Sequence, residues 1–280
     1  MSMINSKVVH SIENYRKDIE KAKESFGRAD LFKFEDPKIN EYTHGGFGSP
    51  SDFNLIIATG KTNVGKSLFI QNMIKSVIKT EKRFAYLVLE DSMGETMARL
   101  EQIINPTEFQ EADKLVFTEE DTKDLYKIGD AIDIMEYLFE IENCDVIILD
   151  HLQFLFESIE RTGDLSLRDD NGMQRFIMRK LNRITKLEKK TLICVSHVNK
   201  QSEESGDLLD LIVGSSALAQ AATQIFYLSK LKSGELTMQM IKSRYTKKEN
   251  EPLYIEFNDH LQLQVATYLK EGEIETGGLL

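Results

Sequence analysis

The stretch GKTNVGKS at residues 60–67 constrains the fold of this sequence more than any other feature. It satisfies the pattern G-x-x-x-x-G-K-[ST] and lies between an apolar run, FNLIIAT, and an amphipathic run, KSLFIQNMIKSVIKT. A strand, a glycine-rich turn and a helix in this order direct backbone N–H groups and the positive helix end at a bound phosphate. The stretch therefore predicts an α/β fold that binds a nucleotide.

The residue types within this motif predict how the nucleotide is held. Lys66 is expected to reach the β and γ phosphates, and Ser67 is expected to supply a hydroxyl to Mg²⁺. The alternative, a glycine turn followed by a solvated lysine, leaves the flanking strand and helix unexplained. The residues predicted to contact the nucleotide are Gly60, Thr62, Asn63, Val64, Gly65, Lys66, Ser67 and Leu68.

Apolar runs alternate with amphipathic helical runs from residue 53 onward. The runs FAYLVLE, DVIILD and TLICVSH are continuously apolar, which is typical of a parallel sheet covered by helices on both faces. The pair ELTMQMIKSRY and PLYIEFN predicts a hairpin, and hence antiparallel strands at one edge. Residues 28–266 are therefore expected to form one mostly parallel α/β domain.

The segments that flank this core have their own patterns. Residues 5–27 carry apolar positions at helical spacing and predict an N-terminal helix, which either packs on its own domain or reaches a neighbouring subunit. Residues 28–51 include a Gly/Ser/Pro-rich connector, and an acidic helical region precedes DVIILD. Residues 267–280 are expected to form a flexible acidic tail.

Composition excludes several classes of protein. The chain has 280 residues, of which 41% are hydrophobic, enough to bury one large core. Its apolar runs are far shorter than the roughly 20 residues that a membrane-spanning helix needs, and we expect a cytoplasmic protein without membrane contact. Cys144 and Cys194 lie in or beside predicted buried strands without metal-ligand spacing, so we expect reduced core residues.

The net charge limits how this chain can contact nucleic acid. A formal net charge of -11 argues against a broad basic surface that coats duplex DNA. A ring or filament can nevertheless confine its cations to an inner channel and keep an acidic exterior. Binding of single-stranded DNA therefore stays open at this point.

Acidic residues end two predicted strands. Asp150 ends DVIILD, where a carboxylate can order the water shell of the metal beside Ser67; a helix cap is the alternative role. Glu90 ends FAYLVLE at the carboxyl edge of the sheet, where α/β proteins bind ligands. We predict Glu90 as the base that polarises the attacking water, and Asp91 is the competing candidate.

Three further residues carry possible chemistry. His197 ends TLICVSH in the same predicted sheet, where its imidazole can sense a γ-phosphate or serve only the fold. Lys242 and Arg244 are two apart in a predicted strand, so both side chains lie on one face. A solvated strand edge explains Lys247 and Lys248 better than it explains this pair.

Six stretches, taken in order, resemble the successive motifs of the DnaB-like replicative DNA helicases, and most of all the helicase half of phage primase-helicases. They are GKTNVGKS, YLVLEDSMGETMARL, VIILDHLQFL, LICVSHVNK, GSSALAQAATQIFYLSK and IKSRYT. The resemblance covers residues 30–260. It implies a RecA-like ATPase domain at residues 28–266, which binds ATP and Mg²⁺ and forms a ring that we expect to be a hexamer.

The resemblance also implies roles for the candidate residues. Lys66 and Ser67 would bind nucleotide and Mg²⁺, Glu90 would be the catalytic base, and Asp150 the metal-associated acid. His197 would couple hydrolysis to a DNA-binding loop at 199–213. Residues 1–27 would be a subunit-exchange helix.

Lys242 and Arg244 would act on the nucleotide of the adjacent subunit. The ring would move 5′ to 3′ on single-stranded DNA in a bacterial or phage-infected cytoplasm. No primase domain is recognised, so a separate primase and a loader are expected as partners.

The sequence departs from the family pattern in its DNA loop. That loop has Lys200 as its clear cation and also carries Glu203, Glu204 and Asp207, which disfavours binding to phosphates. The other loop offers Arg161 and Arg168 as candidate DNA contacts. Two rival functions therefore stay open: a recombination-type ATPase that forms filaments, and a regulatory ATPase whose output is protein binding.

Overall fold

The structure is a computed structural model that describes residues 31–48, 53–88, 91–118, 121, 131–152, 170–198, 219–244, 246 and 251–266. Within these ranges the strands are β1 (Asn54–Gly60), β2 (Phe84–Val88), β3 (Lys114–Thr118), β4 (Val146–Asp150), β5 (Thr191–His197), β6 (Gln224–Lys230), β7 (Leu236–Ser243), β8 (Leu253–Phe257) and β9 (Leu263–Val265). The helices are α1 (Pro37–Tyr42), α2 (Lys66–Ile78), α3 (Met93–Ile103), α4 (Pro106–Glu111), α5 (Ala131–Glu136), which continues as a π-helical turn (Tyr137–Ile141), and α6 (Asp170–Glu188).

These strands form a single mixed sheet in the order β3-β2-β4-β5-β1-β6-β7-β8-β9. All pairs from β3 to β6 are parallel, and the pairs β6–β7, β7–β8 and β8–β9 are antiparallel. This topology confirms the predicted RecA-like α/β fold with antiparallel edge strands. Strand β1 lies between β5 and β6, so the turn that follows it lies at the centre of the sheet.

Helices cover both faces of the sheet because alternate residues of each buried strand point to opposite sides. In β1, Leu55 and Ile57 pack with α5 and α6, whereas Ile56 and Ala58 pack with α2 and α3 on the other face. Strands β1, β2 and β4 are buried at every position. Both cysteines lie in the core, and burial raises the pKa of the Cys194 thiol.

The structure adds elements that the sequence patterns did not predict. The acidic region contains β3, which pairs with β2 at the edge of the sheet. The connector contains α1, where Asp36 accepts a hydrogen bond from Lys38 N at 2.8 Å and another from Val265 N at 2.7 Å. Asp36 thereby ties the connector to the added strand β9. No helix among the described residues is long and apolar enough to span a bilayer.

Candidate nucleotide-binding site

The predicted phosphate loop joins the end of β1 to the start of α2. A Cβ atom on Gly60 would lie 2.2 Å from the carbonyl oxygen of Leu228, so only glycine fits where β1 and β6 approach each other. Gly65 has a left-handed conformation with φ of 82°, and its carbonyl accepts the first hydrogen bond of the helix, from Phe69 N at 2.8 Å. The two glycines therefore set the turn that presents the amino end of α2.

The Lys66 side chain is held over this turn. It is only 6% exposed, and its ammonium donates a hydrogen bond to the carbonyl oxygen of Lys61 at 2.7 Å. The ammonium lies beside a cavity of about 350 Å³, large enough for a phosphate chain. The residues that line the cavity are Thr62, Asn63, Gly65, Lys66, Ser67, Leu68, Asp91, Arg99, Val195, His197 and Leu261.

Most of the predicted nucleotide contacts therefore line one cavity. Gly60 and Val64 are the two that do not line it; Gly60 shapes the turn and Val64 is buried in the core. Because the cavity is bounded by the amino end of α2 and by the Lys66 ammonium, its electrostatic field favours an anion.

Asp150 lies at the carboxyl end of β4, in register with Val88 of β2. Its side chain is 2% exposed. Burial raises the pKa of the neighbouring Tyr86, and the charge of Asp150 raises it further. The peptide bond between Asp150 and His151 is cis.

These residues fit a Mg²⁺ ion that is held mainly by its substrate. No group of three or more His, Cys, Asp or Glu side chains among the described residues could hold a metal alone. Mg²⁺ usually takes one or two protein ligands together with phosphate oxygens and water. Ser67 lines the cavity, and Asp150 ends β4, which β5 separates from β1. The hydroxyl and the carboxylate match that donor set by residue type.

His197 ends β5 and lines the same cavity. The ring of His151, which follows Asp150, contacts it edge-on, with the ring centroids 5.0 Å apart and the planes at 76°. The chain after β4 is tied to β5 by a hydrogen bond from Leu152 N to Val195 O at 2.8 Å. The end of β4, which carries Asp150, is thus linked to His197 at the end of the neighbouring strand β5.

Arg99 is a cavity residue that the sequence reasoning missed. Its guanidinium, on α3, forms an ion pair with the Asp91 carboxylate, with 2.5 Å between Nη2 and Oδ2. Asp91, the competing candidate for the base, is thus paired with a cation. Glu90 lies outside the described residues. The one sequence signal for Arg99 was its position eight residues after Asp91, two helical turns along α3.

The turn between β8 and β9, together with the Phe257 ring, packs against the phosphate loop and α2, a second feature that the sequence did not predict. The Asn72 side chain, on α2, donates to Leu261 O at 3.0 Å and accepts from Leu263 N at 2.8 Å. The Phe257 ring lies against Gly65, where an added Cβ would approach it to 2.9 Å. The turn between β8 and β9 is thereby fixed to α2, the helix that follows the phosphate loop.

Lys242 and Arg244 lie on one side of the chain, as their spacing predicted. Lys242 Nζ donates to the carbonyl oxygens of Ala219 and Gln220, and Arg244 Nη2 donates to Gln220 O at 3.4 Å. Burial lowers the pKa of Lys242, and Arg244 lowers it further. Lys242 is thus held firmly by two carbonyls, whereas Arg244 is exposed and makes one long contact with a carbonyl.

This pair lies beside the amino end of β6, whereas the phosphate loop lies beside the carboxyl end of the same strand. Arg244 N donates to Thr223 O, directly before the amino end of β6, whereas Gly60 pairs with Leu228, five residues after Thr223. Five residues of strand span about 16 Å, and the phosphate loop extends beyond Gly60. The Arg244 guanidinium therefore does not share its own chain's nucleotide cavity.

The remaining predicted positions lie outside the described residues. They include the DNA-contact candidates Arg161, Arg168 and Lys200, the loop at 199–213, the helix at 5–27 and the tail at 267–280.

Comparisons with known proteins agree with this geometry. The profile of a family described as an AAA domain matches residues 23–203. A DNA helicase/primase of Enterobacteria phage T3 is 23% identical over 273 residues, covering 85% of this chain and 46% of that protein. The chain therefore spans about half the length of this curated relative.

Solved structures with the same fold come from several kinds of protein. One that is described as an ATPase domain superposes with a TM-score of 0.66 at 16% identity, covering 91% of this chain and 98% of that one. FlaH, a flagellar accessory protein of Methanocaldococcus jannaschii, gives 0.59 at 15% identity, covering 85% of this chain and 98% of that one. A KaiC-like protein of Pyrococcus horikoshii OT3 gives 0.60 at 15%, covering 84% and 97%. At these identities the structures indicate the fold alone.

Proposed function

The chain belongs to the AAA domain family and is a RecA-like ATPase, and we propose that it forms a hexameric ring that moves on single-stranded DNA and unwinds duplex DNA. The observation that carries this proposal is the position of Arg244, which lies at the opposite end of the strands from its own phosphate loop. A cation there serves a nucleotide only when another subunit binds that nucleotide. The similarity to a phage protein described as a DNA helicase/primase supports DNA as the substrate.

In this proposal the phosphate loop and the strand ends near it have distinct roles in ATP hydrolysis. The loop N–H groups bind the phosphates, and the Lys66 ammonium exchanges the Lys61 carbonyl for phosphate oxygens. Ser67 and Asp150 hold Mg²⁺, which neutralises phosphate charge when bound. Glu90 accepts the proton of the attacking water. The adjacent ion pair between Asp91 and Arg99 fixes the start of α3, directly after the base.

The roles of the two neighbouring carboxylates can be separated by substitution. We expect Glu90→Gln to lower ATP turnover by about 10²-fold or more, because an amide cannot accept the proton. Asp91→Asn should stay within about threefold of the wild type, since it removes only a partly exposed ion pair. Steady-state hydrolysis and binding of a fluorescent ATP analogue measure both effects. Low turnover in Asp91→Asn beside normal turnover in Glu90→Gln would exchange the two roles.

Arg244 is proposed to complete the site of the adjacent subunit. Its one long contact with a carbonyl, Gln220 O, is easily exchanged for a phosphate oxygen. Lys242 caps two carbonyls and is proposed to hold the strand end from which Arg244 projects. A guanidinium against the γ-phosphate stabilises the charge that develops in transfer, an effect of roughly 10³ to 10⁵ in rate.

His197 is proposed to report the state of the γ-phosphate to DNA. It lines the cavity at the end of β5, directly before the proposed DNA loop at 199–213. Its contact with His151 connects it to the strand that ends in Asp150. Lys200, Arg161 and Arg168 are proposed to contact the phosphates of single-stranded DNA.

The remaining parts of the proposal concern assembly and partners. Residues 1–27 are proposed to dock on a neighbouring subunit and 267–280 to form a tail, with residues 28–266 as the ATPase domain. A separate primase and a loader are proposed as partners at a replication fork, in the cytoplasm.

The proposal is tested by hydrolysis and fork unwinding in the same samples with Mg²⁺ and ATP. We expect single-stranded DNA to stimulate hydrolysis at least about threefold and a fork with a 5′ tail to be unwound, because translocation couples turnover to DNA. Glu90→Gln serves as the inactive control. Hydrolysis that DNA does not change, with no unwinding of forks with either tail, would contradict the helicase proposal.

A second candidate is a ring ATPase whose output is binding to a protein. Glu203, Glu204 and Asp207 in the proposed DNA loop favour it, since carboxylates repel phosphates. The FlaH and KaiC-like structures share the fold of this chain. DNA-independent hydrolysis together with a stable ring would select this candidate.

A further inference from the structure

The outward face of α6 is basic on a chain that is acidic overall. Phe176, Arg179, Arg183 and Lys186 are spaced by three, four and three residues, which places them on one side of the helix, and all four are exposed. Neither Arg179 nor Arg183 forms an ion pair with another described residue. We name these four residues the basic patch.

The basic patch continues to Arg244. The Phe53 ring contacts two cations: Lys186 Nζ is 5.2 Å from the ring centroid and Arg244 Cζ is 5.8 Å from it. Two cations attracted to one aromatic ring hold the end of α6 and the end of β7 together. A surface that receives Arg244 therefore also meets the basic patch.

Three glutamates on the opposite face of the sheet carry the complementary charge, beside Lys75 and Lys79, which both pair with Glu35. Glu101, Glu108 and Glu111, on α3 and α4, are exposed and form no ion pair with a described residue. From Met93 to Asp113 the sequence has five acidic side chains and one basic one, Arg99. We name these three glutamates the acidic patch. It lies on the helices that follow the Asp91 wall of the nucleotide cavity.

The two patches suit a head-to-tail contact between copies of this chain. A ring needs two different surfaces on each subunit, one for each neighbour, and here they lie on opposite faces of the sheet. We propose that the basic patch of one subunit docks on the acidic patch of the next and so delivers Arg244 to the neighbouring nucleotide cavity. This inference rests on the ring of the proposed function and names the surfaces that form it.

Charge reversal tests this pairing. Arg179→Glu/Arg183→Glu gives two acidic patches on one chain, and Glu101→Lys/Glu108→Lys gives two basic ones. Each variant alone should need at least about tenfold more protein to assemble, because like charges then face each other. An equal mixture should assemble and hydrolyse ATP near the wild-type level, since every contact in an alternating ring pairs opposite charges. Light scattering with Mg²⁺ and ATP, at low and high salt, measures assembly.

Lys230→Glu/Lys232→Glu is the matched control, since it reverses two exposed lysines outside both patches; it should assemble as the wild type does. Circular dichroism verifies that each variant is folded. Normal assembly of either reversed variant, or a mixture that stays dissociated, overturns the pairing. The proposed function still holds in that case if the wild type hydrolyses ATP and unwinds forks. A reversed α6 that assembles but no longer retains single-stranded DNA makes the basic patch a nucleic-acid surface instead. A wild-type chain that stays monomeric with Mg²⁺, ATP and DNA rejects the proposed function, and the pairing with it.

Discussion

Lys66→Ala is expected to reduce ATP turnover to below about one-thousandth of the wild-type rate. The wild-type ammonium is buried and lies at the wall of the nucleotide cavity. Among the described residues that line the cavity, the other cation is Arg99, which would have to leave Asp91 to replace it. Removing it takes away charge that balances the β and γ phosphates in both the bound state and the transition state. Nucleotide affinity should therefore fall together with turnover.

A lysine at the other end of the same helix supplies the control for this substitution. Lys79 follows the last turn of α2 and pairs with Glu35, far from the cavity. Lys79→Ala should keep wild-type turnover, because an exposed ion pair contributes little to stability. Equal losses of turnover in the two variants would mean that α2 tolerates no change, and would remove Lys66 from its assigned role.

Arg244→Ala is expected to lower turnover by roughly 10³-fold or more while nucleotide binding by the same chain persists. The reason is that the Arg244 side chain lies beside the amino end of β6, whereas the nucleotide cavity lies near the carboxyl ends of the parallel strands. Its loss leaves every described cavity residue of its own chain in place. Binding of a fluorescent ATP analogue, measured beside hydrolysis, separates the two effects.

Lys232→Ala is the control for Arg244→Ala, since Lys232 is exposed in the turn at the other end of β7. It should hydrolyse ATP as the wild type does. A loss of nucleotide affinity of about tenfold or more in Arg244→Ala would instead place the arginine at its own chain's site, contrary to the register of β6 and β7.

The strand and helix pattern allowed the central part of the fold to be predicted. Continuous apolar runs predicted the parallel strands, and the motif at 60–67 predicted the turn after β1, because both depend on neighbours in sequence. Strand β3 was missed because KLVFT lies in an acidic stretch and gains its place by pairing with β2. Helix α1 was missed although Asp36 and Pro37 carry the signals of a helix start.

Six of the eight residues predicted as nucleotide contacts line one cavity, and their role in binding stays a prediction. Thr62 and His197, far apart in sequence, do line one cavity, as the topology of a parallel sheet implies. Asn72 and Leu261 could not be found in the same way, because they contact each other from distant parts of the chain. Arg99 pairs with Asp91 only eight residues away, and this local signal was missed. The sequence likewise could not predict that Lys242 and Arg244 differ in their surroundings. Lys242 donates to two carbonyl oxygens, whereas Arg244 is exposed.

The measurement that tests the central claim most directly is ATP hydrolysis by an equal mixture of Lys66→Ala and Arg244→Ala chains. If Arg244 completes the site of the neighbouring subunit, roughly a quarter of the contacts in a randomly mixed ring join an intact Lys66 to an intact Arg244. Hydrolysis should then return to roughly that share of the wild-type rate, although each variant alone is inactive. A mixture as inactive as its two components, in rings that light scattering verifies as mixed, would contradict a nucleotide site shared between subunits.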